Sequence, residues 1–144
     1  MSFLSSMSIS ASALTATRLR MDVVAENIAN VDTTRTEYGE PYRRKYVVFQ
    51  ERTNKRGFEH FFNRARNAEG GVRVVHIGRD SSDFKLDYNP SHPDADEDGY
   101  VRMPNVEIVQ EMTDMMAAYR SYEANITALN AFKDMATKTL EIGR

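Results

Sequence analysis

The chain of 144 residues has no cysteine, so no disulfide framework or thiolate metal site can form. It has no run of eighteen apolar residues, so nothing in it reads as a membrane-spanning helix. It lacks excess charge of either sign. The formal net charge is -2, and between Asp32 and Asn105 13 Lys or Arg face 13 Asp or Glu, which argues against a polyanion-binding surface. Charge is missing altogether from Met1 to Thr17, where eight Ser or Thr stand instead. Such a segment has neither the basic start nor the continuous apolar stretch of a secretory signal. Its hydroxyl-bearing residues lower helix propensity, so it is expected to fray alone and to become helical when packed.

The chemistry of catalysis is also missing. There is no G-x-S-x-G elbow, and Gly70-Gly71 is not followed by the Gly or Lys of a phosphate loop. His60, His76 and His92 are scattered, without the i, i+4 pairing of a zinc protease. The run Asp94-Ala95-Asp96-Glu97-Asp98-Gly99 opens like an EF-hand calcium loop. Its twelfth position is Asn105 in place of a bidentate Glu, and Pro90 and Pro93 exclude an entering helix. The residues therefore point to no enzyme, metal or cofactor.

What the chain does contain is periodicity. From Ile108 apolar residues recur in alternating steps of four and three: Met112, Met115, Tyr119, Tyr122, Ile126, Leu129, Ala136 and Leu140, with Lys133 the one interruption. That narrow stripe predicts a long helix needing a partner groove. Met112, Met115, Met116 and Met135 suit a core, and their unbranched thioethers also suit packing against several different neighbours. Near the other end Met7, Leu14, Met21 and Ile28 recur every seven residues, with Ala11, Val24, Ala25 and Val31 between them, predicting a second helix over about residues 5 to 31. Pro104 with Asn105 as N-cap should start the C-terminal helix, and Gly143 should stop it.

Between the helices the signals are β: Lys45 to Gln50, Val72 to Ile77 after Gly70-Gly71, Asp83 to Tyr88 with Phe84, Leu86 and Tyr88 on one face, and Tyr100 to Met103, together a small sheet. The expected fold is α+β, with residues 1–34 and 105–144 as long helices forming an antiparallel coiled-coil-like pair and residues 35–104 as an inserted β-rich lobe. Tyr42-Arg43-Arg44-Lys45-Tyr46 joins three cations to two aromatics. It reads as a stacking site for a single strand of nucleic acid, as a solvated strand entry pairing with acidic neighbours, or as a charged contact between subunits; the balanced charge favours the second over the first.

Asn27-Ile28-Ala29-Asn30-Val31-Asp32-Thr33-Thr34-Arg35-Thr36, followed by Gly39-Glu40-Pro41-Tyr42-Arg43-Arg44-Lys45, resembles the N-terminal signature of the bacterial flagellar rod protein family. Arg120 to Asn130, with Tyr122-Glu123-Ala124-Asn125 at its centre, resembles the family's C-terminal motif. His92 to Asp96 and Gly99 to Asn105 resemble a stretch specific to its proximal-rod member, so the likeness spans nearly the whole chain. Glu40, where Gly is expected, and the basic stretch Asn54 to Arg66 depart from the pattern.

The resemblance implies a structural subunit without chemistry, exported by the flagellar type III apparatus. It further implies polymerisation through the terminal helices into the rod that crosses the periplasm and transmits torque. The implied partners are other copies, other rod proteins, basal-body ring and rod-adaptor proteins and the export apparatus, with no nucleic acid and no membrane insertion. The implied assembly residues are Met7, Leu14, Met21, Asn27, Ile28, Asn30, Tyr42, Arg43, Arg44, Met112, Met115, Tyr119, Tyr122, Glu123, Asn125, Ile126 and Leu129. Two other classes share these features: a soluble helical adaptor for one partner helix, and a calcium-regulated binding module.

Overall fold

The computed structural model describes residues 3–52 and 70–142. The basic stretch Asn54–Arg66 and the helix stop at Gly143 lie outside them. The chain folds as helix α1 (Phe3–Ala29), strands β1 (Lys45–Glu51), β2 (Val72–Arg79), β3 (Lys85–Tyr88) and β4 (Tyr100–Met103), and helix α2 (Ile108–Ile142). This is the expected α+β arrangement of two long helices with strands between them. No helix among the described residues is long and apolar enough to cross a membrane.

The Ser/Thr-rich start of α1 is helical because its hydroxyls turn back onto the helix. Ser12 donates to Ile9 O (2.7 Å), Thr15 to Ala11 O (3.2 Å) and Thr17 to Ala13 O (2.8 Å), which occupies groups that would otherwise compete with the helical backbone. At the other end Asn30 closes the helix. Its side-chain amide donates to Glu26 O at 2.9 Å, a carbonyl that also accepts the Asn30 main-chain N–H at 3.1 Å. The following turn places Gly39 at φ 77° and ties Thr36 N–H to Glu40 O at 2.9 Å. The turn thus uses the main chain of Glu40, so the departure from the family pattern there leaves it intact.

The two helices run antiparallel, since Asn27 meets Glu111 while Arg20 meets Asp114 further along α2. Small residues set their approach: Ala16 on α1 and Ala118 on α2 are both buried, beside Val23 and Val24. Arg20 and Asp114 bridge the seam at 3.0 Å, both partly exposed, an ion pair worth only ~0.2–1 kcal/mol.

The strands form two hairpin sheets, β1–β2 and β3–β4, in place of the single small sheet the sequence suggests. β1 and β2 pair antiparallel from Lys45↔Arg79 to Glu51↔Val72. Val48 and Phe49 oppose His76 and Val74, so Val75 is an extra, bulged residue. Gly71, at φ 135°, lets β2 approach α1, where a Cβ would lie 2.7 Å from Ser12 Oγ, the atom that accepts Val72 N–H at 3.1 Å. β3 and β4 pair without a bulge from Lys85↔Met103 to Tyr88↔Tyr100.

A polar side chain ties the turn between the hairpins to the start of β1. Asn105 does not cap α2, which starts three residues later. Its Oδ1 accepts Arg44 N–H (2.8 Å) and its amide donates to Asp80 O (3.3 Å) and Ser82 Oγ (2.8 Å), holding the β2–β3 turn against the start of β1. The lobe's own core is small and centres on Val101, Pro104 and Val106.

Candidate assembly surface

Where α1, β1 and α2 meet, four polar side chains form a closed network. Asn27 and Glu111 are both 0% exposed. The Asn27 amide donates to Lys45 O (2.8 Å) and Glu111 Oε2 (2.9 Å), while its Oδ1 accepts Tyr42 O–H (2.9 Å) and Lys45 N–H (2.9 Å). Every hydrogen-bonding position of Asn27 is filled. Arg44 Nε donates to Glu111 Oε1 at 2.6 Å, and its Nη2 lies 3.5 Å from Asp114. No buried side-chain polar atom among the described residues lacks a partner. Such a network orients the lobe on the helix pair, because moving any one member strands another in a dry site.

Neighbouring side chains extend the junction. Lys45 pairs with Glu26 and lies 5.6 Å from the centre of the Tyr42 ring. Arg43 stacks 4.2 Å above the Phe84 ring and donates to Ser82 O at 3.3 Å. The basic cluster therefore spends its cations and the Tyr42 hydroxyl within the chain. Asp94, first of the calcium-like run, accepts Thr34 O–H at 2.8 Å and lies 3.8 Å from Arg35, so it ties the lobe's loops together. Among the described residues no group of three or more His, Cys, Asp or Glu is placed to hold a metal ion.

Tyr42 gives the junction a pH signature. Burial, reinforced by the Glu26 and Glu111 carboxylates, pushes its phenol from 10.0 to about 12, with Arg79 pulling slightly the other way. Below its ordinary pKa the phenol is neutral whether folded or unfolded. Above it the unfolded chain ionises first, so stability is lost as pH rises from about 10 through about 12. Thermal melts across that range should show a fall that Tyr42→Phe reduces. An unchanged slope in Tyr42→Phe would contradict this role.

The C-terminal heptad row divides between two faces of α2. Glu111, Met115, Ala118, Tyr122, Asn125, Leu129, Phe132 and Ala136 are buried or half-buried, again in steps of four and three. Met115, Tyr122 and Leu129 thus lie on the side covered by the chain itself. Met112 and Tyr119 are more than half exposed, Ile126 is exposed beside them, and Met116 and Val109 widen the stripe. At ~100° per residue this second stripe is turned about a quarter-circle from the covered one. Glu123 is exposed on the same side. On α1 the row Met7, Leu14, Met21 and Ile28 is half-buried throughout, one position off the seam of Ala13, Ala16, Arg20, Val23 and Asn27.

Of the residues singled out from the sequence, the structure brings Asn27, Tyr42 and Arg44 into one cluster, with Arg43 and Asn30 beside it. Asn27 has no surface to offer a neighbour; it positions the others. Glu111, Asn105 and Ser12 are the structural residues that apolar periodicity passes over. Glu111 did carry one signal, since it stands seven residues before Ala118 and fourteen before Asn125 on the covered face.

Two family models match this chain, one described as flagella basal body rod protein over residues 7–35, the other as flagellar basal body rod FlgEFG protein C-terminal over residues 97–142. Among curated proteins, the flagellar basal-body rod protein FlgC of Bacillus subtilis (strain 168) is 50% identical over 147 residues, covering 96% of this chain and 97% of that protein. FlgC of Borreliella burgdorferi is 46% identical, covering 99% and 98%. FlgC of Escherichia coli O6:H1 is 43% identical over 145 residues and the full length of both chains.

Proposed function

The chain belongs to the flagellar basal-body rod protein family, and on that premise we propose that it polymerises through the uncovered stripe of α2 and the half-covered row of α1. It is a structural subunit of the basal-body rod and works there with other basal-body components. The observation that carries the assembly reading is the stripe Met112, Met116, Tyr119 and Ile126, left open beside a seam that the chain already fills with its own residues. Residues 1–34 and 105–144 supply the contacts of the shaft and residues 35–104 the lobe that orients each copy on the next. The subunit performs no catalysis.

A contact made by one face on a different face of the next copy does not close on itself and grows as a helical filament. Long helices laid side by side resist shear along their whole length, which suits a shaft that carries torque from the basal ring toward the hook. The immediate neighbours are other copies and other rod proteins, with ring and rod-adaptor proteins at the base. The chain reaches them through the flagellar type III export apparatus, and its uncharged start orders on arrival against neighbouring helices.

The test is complementation of a motile bacterium lacking its own copy. Tyr119→Asp and Ile126→Asp place a charge on exposed positions, so the chain still folds, while each buries an unpaired carboxylate in any subunit contact. Swimming and rod formation should be lost with folded subunits accumulating. Normal swimming by the double variant would refute the stripe as an assembly surface.

A further inference from the structure

The most accessible sulfur of the chain coincides with its open stripe. With no cysteine present, the eight methionines are the only sulfur the chain offers an oxidant. Met112 is 55% exposed, Met116 57% and Met135 51%, whereas Met7, Met21, Met103 and Met115 are all half-buried. The open thioethers among the described residues therefore all stand on α2. Met112 and Met116 are one turn apart and ~40° round the helix from each other, and they fill the open stripe between Val109 and Tyr119. Met135 lies ~100–140° round the helix from them, equally open but off the stripe.

A thioether on this surface packs like an aliphatic side chain but reacts as one cannot. Its sulfur attacks one oxygen of hydrogen peroxide, the O–O bond breaks, an S–O bond forms, and water leaves with both peroxide protons. Sulfur is oxidised by two electrons and the peroxide is reduced by two. The sulfoxide is a strong hydrogen-bond acceptor on a formerly apolar chain end. In solvent it is satisfied by water. Covered by a neighbouring subunit it needs a donor, and the side chains of Val109, Met112, Met116 and Ile126 carry none. A sulfoxide at Met115 would act differently, because that side chain lies on the face the chain itself covers.

We propose that Met112 and Met116 are a modification site: oxidation by peroxide in the free subunit turns them into sulfoxides and closes the stripe to assembly without unfolding the chain. This rests on the rod reading and adds a reversible control to it, since methionine sulfoxides are reduced back enzymatically. Subunits awaiting assembly are open to the oxidant, and burial in the finished rod shields the same two sulfurs.

Purified full-length chain is treated briefly with hydrogen peroxide and each methionine-bearing peptide is followed by mass spectrometry. Met112, Met116 and Met135 should oxidise at least about fivefold faster than Met21, Met103 and Met115, with the urea midpoint unchanged until the slower sites react. Equal rates at all sites, or unfolding with the first sulfoxides, would overturn the site. A second measurement uses cells that lack the native copy and methionine sulfoxide reductases and that build rods during peroxide exposure. Rods per cell, divided by the same strain's count without peroxide, should fall at least about fivefold with the parent chain and with Met135→Leu, but less than about twofold with Met112→Leu and Met116→Leu combined. In the parent cells, sulfoxide at Met112 or Met116 should be at least about tenfold rarer in isolated basal bodies than in unassembled chain, while sulfoxide at Met135 enters both. Equal falls for all three chains, with Met112 and Met116 sulfoxides present in the rod, would overturn the oxidative block and leave the rod reading intact. Absence of the chain from basal bodies would instead strike the rod reading itself.

Discussion

Replacing Glu111 with Ala should cost about 3–5 kcal/mol of folding stability, more than any exposed position on α2 could. The carboxylate is fully buried and takes one hydrogen bond from Asn27 and one from Arg44. Removing it leaves the Arg44 guanidinium without its shortest contact and half of the Asn27 amide unsatisfied in a site too dry to supply water. The alanine also opens a cavity at the first covered turn of the helix. For a chain of this size the expected fall in melting temperature is roughly ten degrees. Glu111→Gln keeps the shape and one acceptor, so it should lose distinctly less. A thermal melt of the three proteins decides the matter, and equal stability of Glu111→Ala and the parent would show that the network does not bind the lobe to the helices.

Ala118→Leu should be the most damaging single enlargement in the helix pair. Ala118 is 2% exposed and Ala16 is buried on the opposite helix, so the backbones are brought close by the absence of side chain. Three extra carbons have no void to enter and must push α1 outward, at about 1–3 kcal/mol or more. The shift would also pull Asn27 from Glu111 and Arg20 from Asp114, so loss of the buried network adds to the strain. Unfolding midpoints in urea measure this directly. Enlarging the exposed Met116 to Phe is the control and should leave the midpoint nearly unchanged.

These two positions show what could be read before folding and what could not. The long helices were legible because apolar residues return every three or four positions for many turns, and no tertiary contact is needed to see that. Gly70-Gly71 and the β-branched runs marked the strands within a residue or two. The register of the covered face was legible only in part. The apolar row contains Met115, Tyr122 and Leu129 on the covered side as well as Met112, Tyr119 and Ile126 on the open one, and it passes over Glu111 and Ala118, a charge and a methyl that are the buried positions of the helix. Glu111 and Ala118 are buried because distant parts of the chain cover them: Asn27 and Arg44 bind Glu111, and close helix approach covers Ala118. Sequence spacing carries no record of such partners.

Four strands suggested one sheet, whereas the structure has two hairpins, and Asn105, expected as a helix cap, is found holding the β2–β3 turn. The motif residues Asn27, Tyr42 and Arg44 were singled out by resemblance; only their distances reveal that they serve one junction. Apolar periodicity did locate the exposed stripe Met112, Tyr119 and Ile126, on which the proposed assembly contact rests.

A cryo-electron microscopy reconstruction of an intact basal body tests that claim most directly. The account predicts Met112, Met116, Tyr119 and Ile126 packed against a helix of an adjacent subunit, with Glu111, Ala118 and Asn125 still facing α1 of their own chain. A rod in which that stripe lines open solvent, with the subunits joined elsewhere, would contradict it.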